Sequence, residues 1–179
     1  MASEMELKKR KEILSLTVVV LTAFVAALLL RFFIYEPMKV PTGSMSPTIK
    51  VNDWFYVNKL SFKLSPIKRK DIIVFWLPDN PSERYVKRVI GLGGEEVLIK
   101  NCKVYINGNP LDEPYINEPM SEIDYGPYKV PNDSYFVLGD NRNDSLDSRF
   151  WNNKFVRKDQ VIGKSSIRFW PLNRIGFIK

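Results

Sequence analysis

The sequence contains no histidine and a single cysteine among its 179 residues. Without imidazole, Ser-His and Cys-His pairs of nucleophile and base are excluded, along with His-ligated metal sites. One thiol, Cys102, can form neither an intrachain disulfide nor a thiolate zinc cluster. It lies between Asn101 and Lys103 in a strand-like stretch, and it reads as a structural or incidental thiol because a nucleophile there would lack its base. Internal repeats are missing, and so is any long amphipathic helix beyond the first 35 residues. Any hydrolytic chemistry in this chain must therefore draw on a base other than histidine.

The length allows one ordinary domain and a short appendage, not two full domains. Hydrophobic residues at 45% and charged residues at 26% give a globular rather than a disordered balance. The net charge of +7 suits an anionic surface, either nucleic acid or phospholipid headgroups. Charge alone does not choose between them.

The N-terminal segment does. Residues 13–30 (ILSLTVVVLTAFVAALLL) are uncharged and interrupted only by Ser15, Thr17 and Thr22. As a helix this run spans about 27 Å, close to a hydrocarbon core of about 30 Å. The basic cluster Lys8-Lys9-Arg10-Lys11 precedes it and stays cytoplasmic under the positive-inside rule, so the rest of the chain is expected outside. A cleaved secretory signal also begins basic and then apolar. Here, however, Ala26-Ala27 runs into Leu28-Leu29-Leu30 instead of a polar boundary. A core helix of a soluble protein is a third reading, and the anchor is preferred over both. The expected organisation is a basic cytoplasmic segment over 1–12, a membrane anchor over 13–35 and an extracytoplasmic domain over 36–179.

From Glu36 onward the chain changes to short runs rich in Val, Ile, Tyr, Phe and Trp. Strands are predicted over 54–57, 71–77, 85–90, 95–99, 103–106, 134–138 and 161–170. Asn107-Gly108 after Val104-Tyr105-Ile106 signals a hairpin, because a type I′ turn needs positive φ at both central residues. Pro110, Pro114, Pro119, Pro127 and Pro131 make the middle of the chain rich in loops. The domain is expected to be mainly β, a folded or barrel-like arrangement of sheets. Phe150, Trp151 and Trp170 could dip into lipid, but core positions are the simpler expectation for most of them.

A hydroxyl can be activated without histidine by a lysine whose amine burial keeps neutral. Its ordinary value of about 10.4 must then fall by about two to three units. Lys87, in Tyr85-Val86-Lys87-Arg88-Val89-Ile90, is a candidate; alternation puts Tyr85, Lys87 and Val89 on one face. From that segment alone, an edge-strand lysine facing water is favoured. A matching nucleophile lies in Pro41-Thr42-Gly43-Ser44-Met45-Ser46-Pro47-Thr48, where Gly43 permits a tight backbone and the two prolines stiffen either side. Such a loop can aim backbone N–H groups at an oxyanion, although a polar turn of small residues explains it as well. The segment from Gly139 to Arg149 offers Asp140, Asp144 and Asp147 as oxygen ligands. It lacks EF-hand spacing, and Arg142 and Arg149 oppose a cation, so a scaffold loop held by Arg–carboxylate pairs is the better reading.

Taken in order, residues 41–48 with Asp53-Trp54, then 68–75, 85–94 and 139–149, resemble the motif set of bacterial type I signal peptidases. Gly139-Asp140-Asn141-Arg142 followed by Ser145-Leu146-Asp147-Ser148-Arg149 is the most specific part. The resemblance implies a folded antiparallel β domain behind one transmembrane helix, acting as a serine endopeptidase. It implies Ser44 as nucleophile and Lys87 as general base. The Ser44 backbone N–H and the Thr42 hydroxyl would form the oxyanion hole, and Ser145 would orient the Lys87 amine. Asp147 and Arg149 would form a supporting salt bridge, and Asp140 would pair with Arg88. Val40, Met45, Tyr85 and Val86 fall near positions that line shallow substrate pockets in the family.

The implied reaction is removal of signal peptides after small residues at −1 and −3, the Ala-x-Ala-like pattern. The expected partners are secretory preproteins and the phospholipid bilayer, with no nucleic acid, no cofactor and no metal. Ser44 lies nine residues past Tyr35, so an extended link keeps it within about 30 Å of the interface. Two positions depart from the family. Gly91-Leu92-Gly93-Gly94-Glu95 stands where Gly-Leu-Pro-Gly-Asp is frequent, and Lys70 precedes Asp71 where glycine is frequent. Two other readings remain: a self-cleaving Ser-Lys repressor protease, which shares the dyad and a related β fold but carries a DNA-binding domain not seen here, and a membrane-tethered β module without catalysis.

Overall fold

The computed structural model describes residues 2–178. Helix α1, Ala2–Phe33, contains a span from Met5 to Leu29 whose most apolar 18 residues have mean hydropathy 2.4. Its described side chains, residues 5–29, are exposed all round, the surface of a helix whose apolar faces meet no protein. The basic cluster at 8–11 continues the same helix instead of preceding it.

Twelve strands and a short helix follow: β1 Tyr35–Lys39, β2 Trp54–Asn58, α2 Ser61–Leu64, β3 Ile72–Leu77, β4 Asn80–Gly91, β5 Glu96–Lys100, β6 Lys103–Ile106, β7 Asn109–Pro110, β8 Tyr125–Lys129, β9 Ser134–Leu138, β10 Val156–Arg157, β11 Val161–Trp170 and β12 Gly176–Phe177. All pairings are antiparallel. The larger sheet runs β1-β2-β11-β3-β4-β9-β10, with β12 against β11, and the smaller runs β7-β6-β5-β8. The mainly β architecture expected from the sequence is the one observed, and all seven predicted strands are present with ends shifted by a few residues. Asn107 and Gly108 have φ of 50° and 80° in the β6–β7 turn, as the hairpin signal requires.

Strand β3 reads Ile-Ile-Val-Phe-Trp-Leu and is buried except at Trp76, which places it in the middle of the larger sheet, between β11 and β4. Its Ile73 and Phe75 pack with Val89, Val137, Trp151 and Val156 in one core. Ile72 and Val74 face a second core with Val40, Met45, Ile49 and Phe55. Each such side chain contributes about 1.5–3 kcal/mol relative to exposure. Strand β4 joins the two sheets. A Cβ at Gly91 would stand 2.5 Å from Val97 Cγ2, so the absent side chain lets the sheets close on each other.

The aromatic expectations divide. Trp151 is buried at 3% exposure, but Phe150 and Trp170 are half exposed at 52% and 50%, which corrects the core reading for both. Trp170 ends β11 beside Trp54. With Tyr35, Tyr56, Ile167 and Phe169 it lines an open apolar groove on the outer face of β1, β2 and β11, adjoining the end of α1.

Candidate active site

Ser44 lies on the loop between β1 and β2. The base of that loop is closed by Val40 N–H donating to Asp53 O at 3.0 Å and Asn52 N–H donating to Val40 O at 2.8 Å. Met45 and Ile49, one turn apart and fully buried, plug the loop into the core. The Asp53 carboxylate accepts from Lys50 N–H at 2.9 Å and from Arg174 Nη1 at 2.8 and 2.9 Å. These contacts leave little freedom for the serine between them.

Lys87 occupies β4 opposite Ile73 of β3. It is 3% exposed, not the water-facing edge lysine that its segment alone suggested. Its Nζ lies 2.5 Å from Ser44 Oγ. Burial pushes the amine down from its ordinary value to about 8, against the upward pull of the Asp147 and Asp140 carboxylates and with a further downward push from Arg149. Thr42 Oγ1 stands 3.4 Å from Ser44 Oγ on the exposed side of the loop.

The loop after β9 frames this pair from below. Asp140 is buried and accepts two bonds from Arg88, Nε to Oδ1 at 2.8 Å and Nη2 to Oδ2 at 2.7 Å. It also accepts from Thr48 Oγ1 at 2.5 Å, which ties it to the serine loop. Asp147 accepts from Arg149 Nε and Nη2 at 2.8 and 2.9 Å, from Gly139 N–H at 3.0 Å and from Ser145 Oγ at 2.8 Å. Bidentate buried pairs of this kind hold their partners in one geometry. The Ser145 hydroxyl thus donates to Asp147, and the hydrogen-bond contact of the Lys87 amine is with Ser44. Gly139 separates the two: a Cβ there would lie 2.1 Å from Ser145 Oγ and 2.4 Å from Ser44 O.

The remaining expected residues fall as follows. Val40, Met45 and Val86 are 1%, 0% and 6% exposed and belong to one core cluster directly under the serine loop. Tyr85 is half buried, edge-on to Trp151, with its ring centroid 5.4 Å from Lys87 Nζ. Over residues 80–87, β4 pairs only with β3; its pairing with β9 begins at Arg88. Its other edge has no strand partner among the described residues.

Sequence reasoning missed a strap from the smaller sheet. Glu113 accepts from Arg142 Nη1 at 3.0 Å and Nη2 at 2.5 Å, with both side chains almost fully buried. Tyr115 donates to Glu113 at 2.7 Å, and its ring covers the Arg88 guanidinium at 3.9 Å. Burial and the Glu113 carboxylate push the Tyr115 hydroxyl far upward, so it stays protonated. An acidic residue and a tyrosine flanking Pro114 in a loop carry no sequence signal for such a role.

Comparison with known proteins shows the family of the chain. The family model described as signal peptidase, peptidase S26, matches residues 13–170. The chain is 48% identical to a signal peptidase I of Leptolyngbya laminosa over 85% of its length and 77% of that protein. It is 38% identical to a signal peptidase I of Bacillus amyloliquefaciens over 98% of both. A crystal structure of a signal peptidase I from Enterococcus faecalis, 37% identical, covers 56% of this chain and 97% of its own, with a TM-score of 0.49. The chain belongs to the signal peptidase family S26. Membership makes it a serine endopeptidase and sets the class of reaction, hydrolytic removal of signal peptides.

Proposed function

We propose that Ser44 is the nucleophile and Lys87 the general base of a two-stage acyl transfer. The observation that carries this reading is the 2.5 Å contact between Lys87 Nζ and Ser44 Oγ, with the amine buried and pushed down to about 8. A neutral amine at that distance takes the Ser44 proton as Oγ attacks the scissile carbonyl carbon. The negative charge gathers on the carbonyl oxygen, where the Ser44 N–H and the Thr42 hydroxyl receive it. The ammonium of Lys87 then gives its proton to the leaving amine, releasing the mature chain and leaving the signal peptide as an ester on Ser44. Lys87 next takes a proton from water, which attacks the ester carbonyl; return of that proton to Ser44 Oγ regenerates the enzyme. Asp140 with Arg88 and Asp147 with Arg149 keep the surroundings of Lys87 near electrical balance, so burial decides its charge. Ser145 acts on the lysine through Asp147.

The open edge of β4 over 80–87 supports an extended substrate lying alongside it by strand addition. Val40, Met45 and Val86, packed tightly beneath the serine loop, favour small side chains at −1 and −3. The basic cluster at 8–11 beside the apolar run of α1 supports a cytoplasmic N-terminus and a β domain on the outer side, under the positive-inside rule. The aromatic groove over β1, β2 and β11 would rest on the phospholipid surface, since amphipathic rings suit the interface.

The test is cleavage of an Ala-x-Ala preprotein in detergent by wild type, Ser44→Ala and Lys87→Ala. The reading expects wild type to cut after the residue at −1 and both variants to be folded and inert. Equal cutting by all three would overturn it.

A further inference from the structure

We infer that Asn141 is a positioning residue for the oxyanion-binding N–H of Ser44; the inference rests on the Ser44–Lys87 reading. The argument starts from the peptide group joining Gly43 to Ser44. That group is planar and is not among the cis bonds of the chain, so the Gly43 carbonyl and the Ser44 N–H point in opposite directions. Whatever fixes the carbonyl aims the N–H.

Two donors fix that carbonyl. Ser46 N–H donates to Gly43 O at 2.9 Å from within the loop, and Asn141 Nδ2 donates to it at 3.3 Å from the opposite loop, 98 residues away. The next carbonyl is held from the same source, since Asn141 N–H donates to Ser44 O at 3.1 Å. Asn141 therefore grips the backbone on both sides of the nucleophile. Among the described residues the Ser44 N–H itself has no acceptor, which leaves it directed away from the grip and free for a developing oxyanion.

Asn141 is itself placed by the buried scaffold. Asp144 N–H donates to Asn141 O at 3.1 Å. Arg142 Nε donates to Gly139 O at 3.0 Å while Glu113 holds its other end. The strap carrying Glu113 thereby acts on the nucleophile loop through one asparagine. The residue type matters: an amide supplies the N–H that Gly43 O needs, and a carboxylate of the same shape would set oxygen against oxygen and rotate the peptide.

The experiment compares full-length wild type with Asn141→Ala and Asn141→Asp in detergent. It measures kcat and KM for a preprotein, the pH dependence of the rate, and affinity for a peptide aldehyde, whose adduct with Ser44 carries an oxyanion, against the same peptide ending in an amide. Asn141→Ala should lose kcat by about 10- to 100-fold and Asn141→Asp by more; the alanine loss stays at or below the roughly 10²–10³-fold cost of deleting an oxyanion donor, because the Ser44 N–H is turned and not removed. KM and amide affinity should stay in place while aldehyde affinity falls with kcat, and the pH midpoint should stay in place in Asn141→Ala; the new carboxylate of Asn141→Asp should itself move the midpoint up. Unchanged kcat and aldehyde affinity would overturn the inference, as would a shifted pH midpoint in Asn141→Ala, which would mean action through Lys87. Aspartate is close in shape to asparagine, so Asn141→Asp keeps the test open if the alanine variant fails to fold. If Ser44→Ala still cleaves, the dyad reading fails; if it is inert while both Asn141 variants are fully active, only this inference fails.

Discussion

Arg149 folds back onto Asp147, two residues before it in the chain, and the pair is buried to 2% and 0% side-chain exposure beside Lys87. The two charges act on the lysine in opposite senses: Asp147 raises its pKa and Arg149 lowers it. Neither controls the amine alone, and burial outweighs both.

Single substitutions should separate them. Asp147→Asn removes an upward pull, so the pH midpoint of kcat/KM should move below about 8. Arg149→Met removes a downward push and exposes the amine to Asp147, so the midpoint should move up. Each leaves a buried charge without its partner, at a cost of about 3–5 kcal/mol, so the profiles are best taken at low temperature. Shifts in the same direction would contradict the electrostatic account.

Gly139 is the closest backbone approach in the site. Gly139→Ala should destabilise the protein by about 1–3 kcal/mol through overpacking and lower kcat by at least tenfold, because the added Cβ meets Ser145 Oγ and Ser44 O at 2.1 and 2.4 Å. Urea unfolding and preprotein cleavage read the two effects, and a variant normal in both would mean the loops part more easily than their packing indicates.

Lys70 stands at φ 74°, in the left-handed region where side chains are strained. Glycine is frequent there in the family, and the departure noted from sequence thus lands on a conformation that glycine adopts freely. Lys70→Gly should raise stability by about 1 kcal/mol, the scale of the left-handed penalty, with cleavage unchanged. Thermal and urea unfolding would show it.

Lys87 also couples stability to pH. Its folded pKa lies below the unfolded value, so the unfolded chain binds the extra proton between them. Stability therefore rises with pH from about 8 to 10.5. Below that window the burial penalty is fully present, about 3 kcal/mol at 1.36 kcal/mol per unit. Lys87→Met should abolish cleavage, be more stable than wild type at neutral pH, and lose this difference as pH rises through the window. Parallel urea midpoints for the two proteins at every pH would show that the lysine is not held neutral.

Much of the larger sheet was legible because its strands announce themselves: 72–77 is almost wholly apolar, and 134–138 is a run of buried β formers. Strand β1 was not, since Tyr-Glu-Pro-Met-Lys carries a proline that argues against a strand, yet it survives at the sheet edge opposite β2. Gly126-Pro127 hid β8 in the same way. The roles of Ser44, Lys87, Asp140 and Asp147 were legible only through the resemblance of the ordered motif set to the family, since the Ser44 loop also reads as a polar turn and Lys87 alone as an edge lysine. Glu113 and Tyr115 gave no signal, and Asn141 stood inside the 139–149 motif without a role, because their meaning lies in contacts such as Asn141 to Gly43 across 98 residues and Glu113 to Arg142 between loops. Local pattern carries no trace of such pairings.

The most direct test of the central claim is the pH dependence of kcat/KM for preprotein cleavage by wild type and Lys87→Arg. The account predicts a wild-type rate rising through a single ionisation near about 8, and an arginine variant inactive throughout because guanidinium stays protonated. An arginine variant cleaving at the wild-type rate, or a wild-type profile with no inflection there, would contradict Lys87 as the base that activates Ser44.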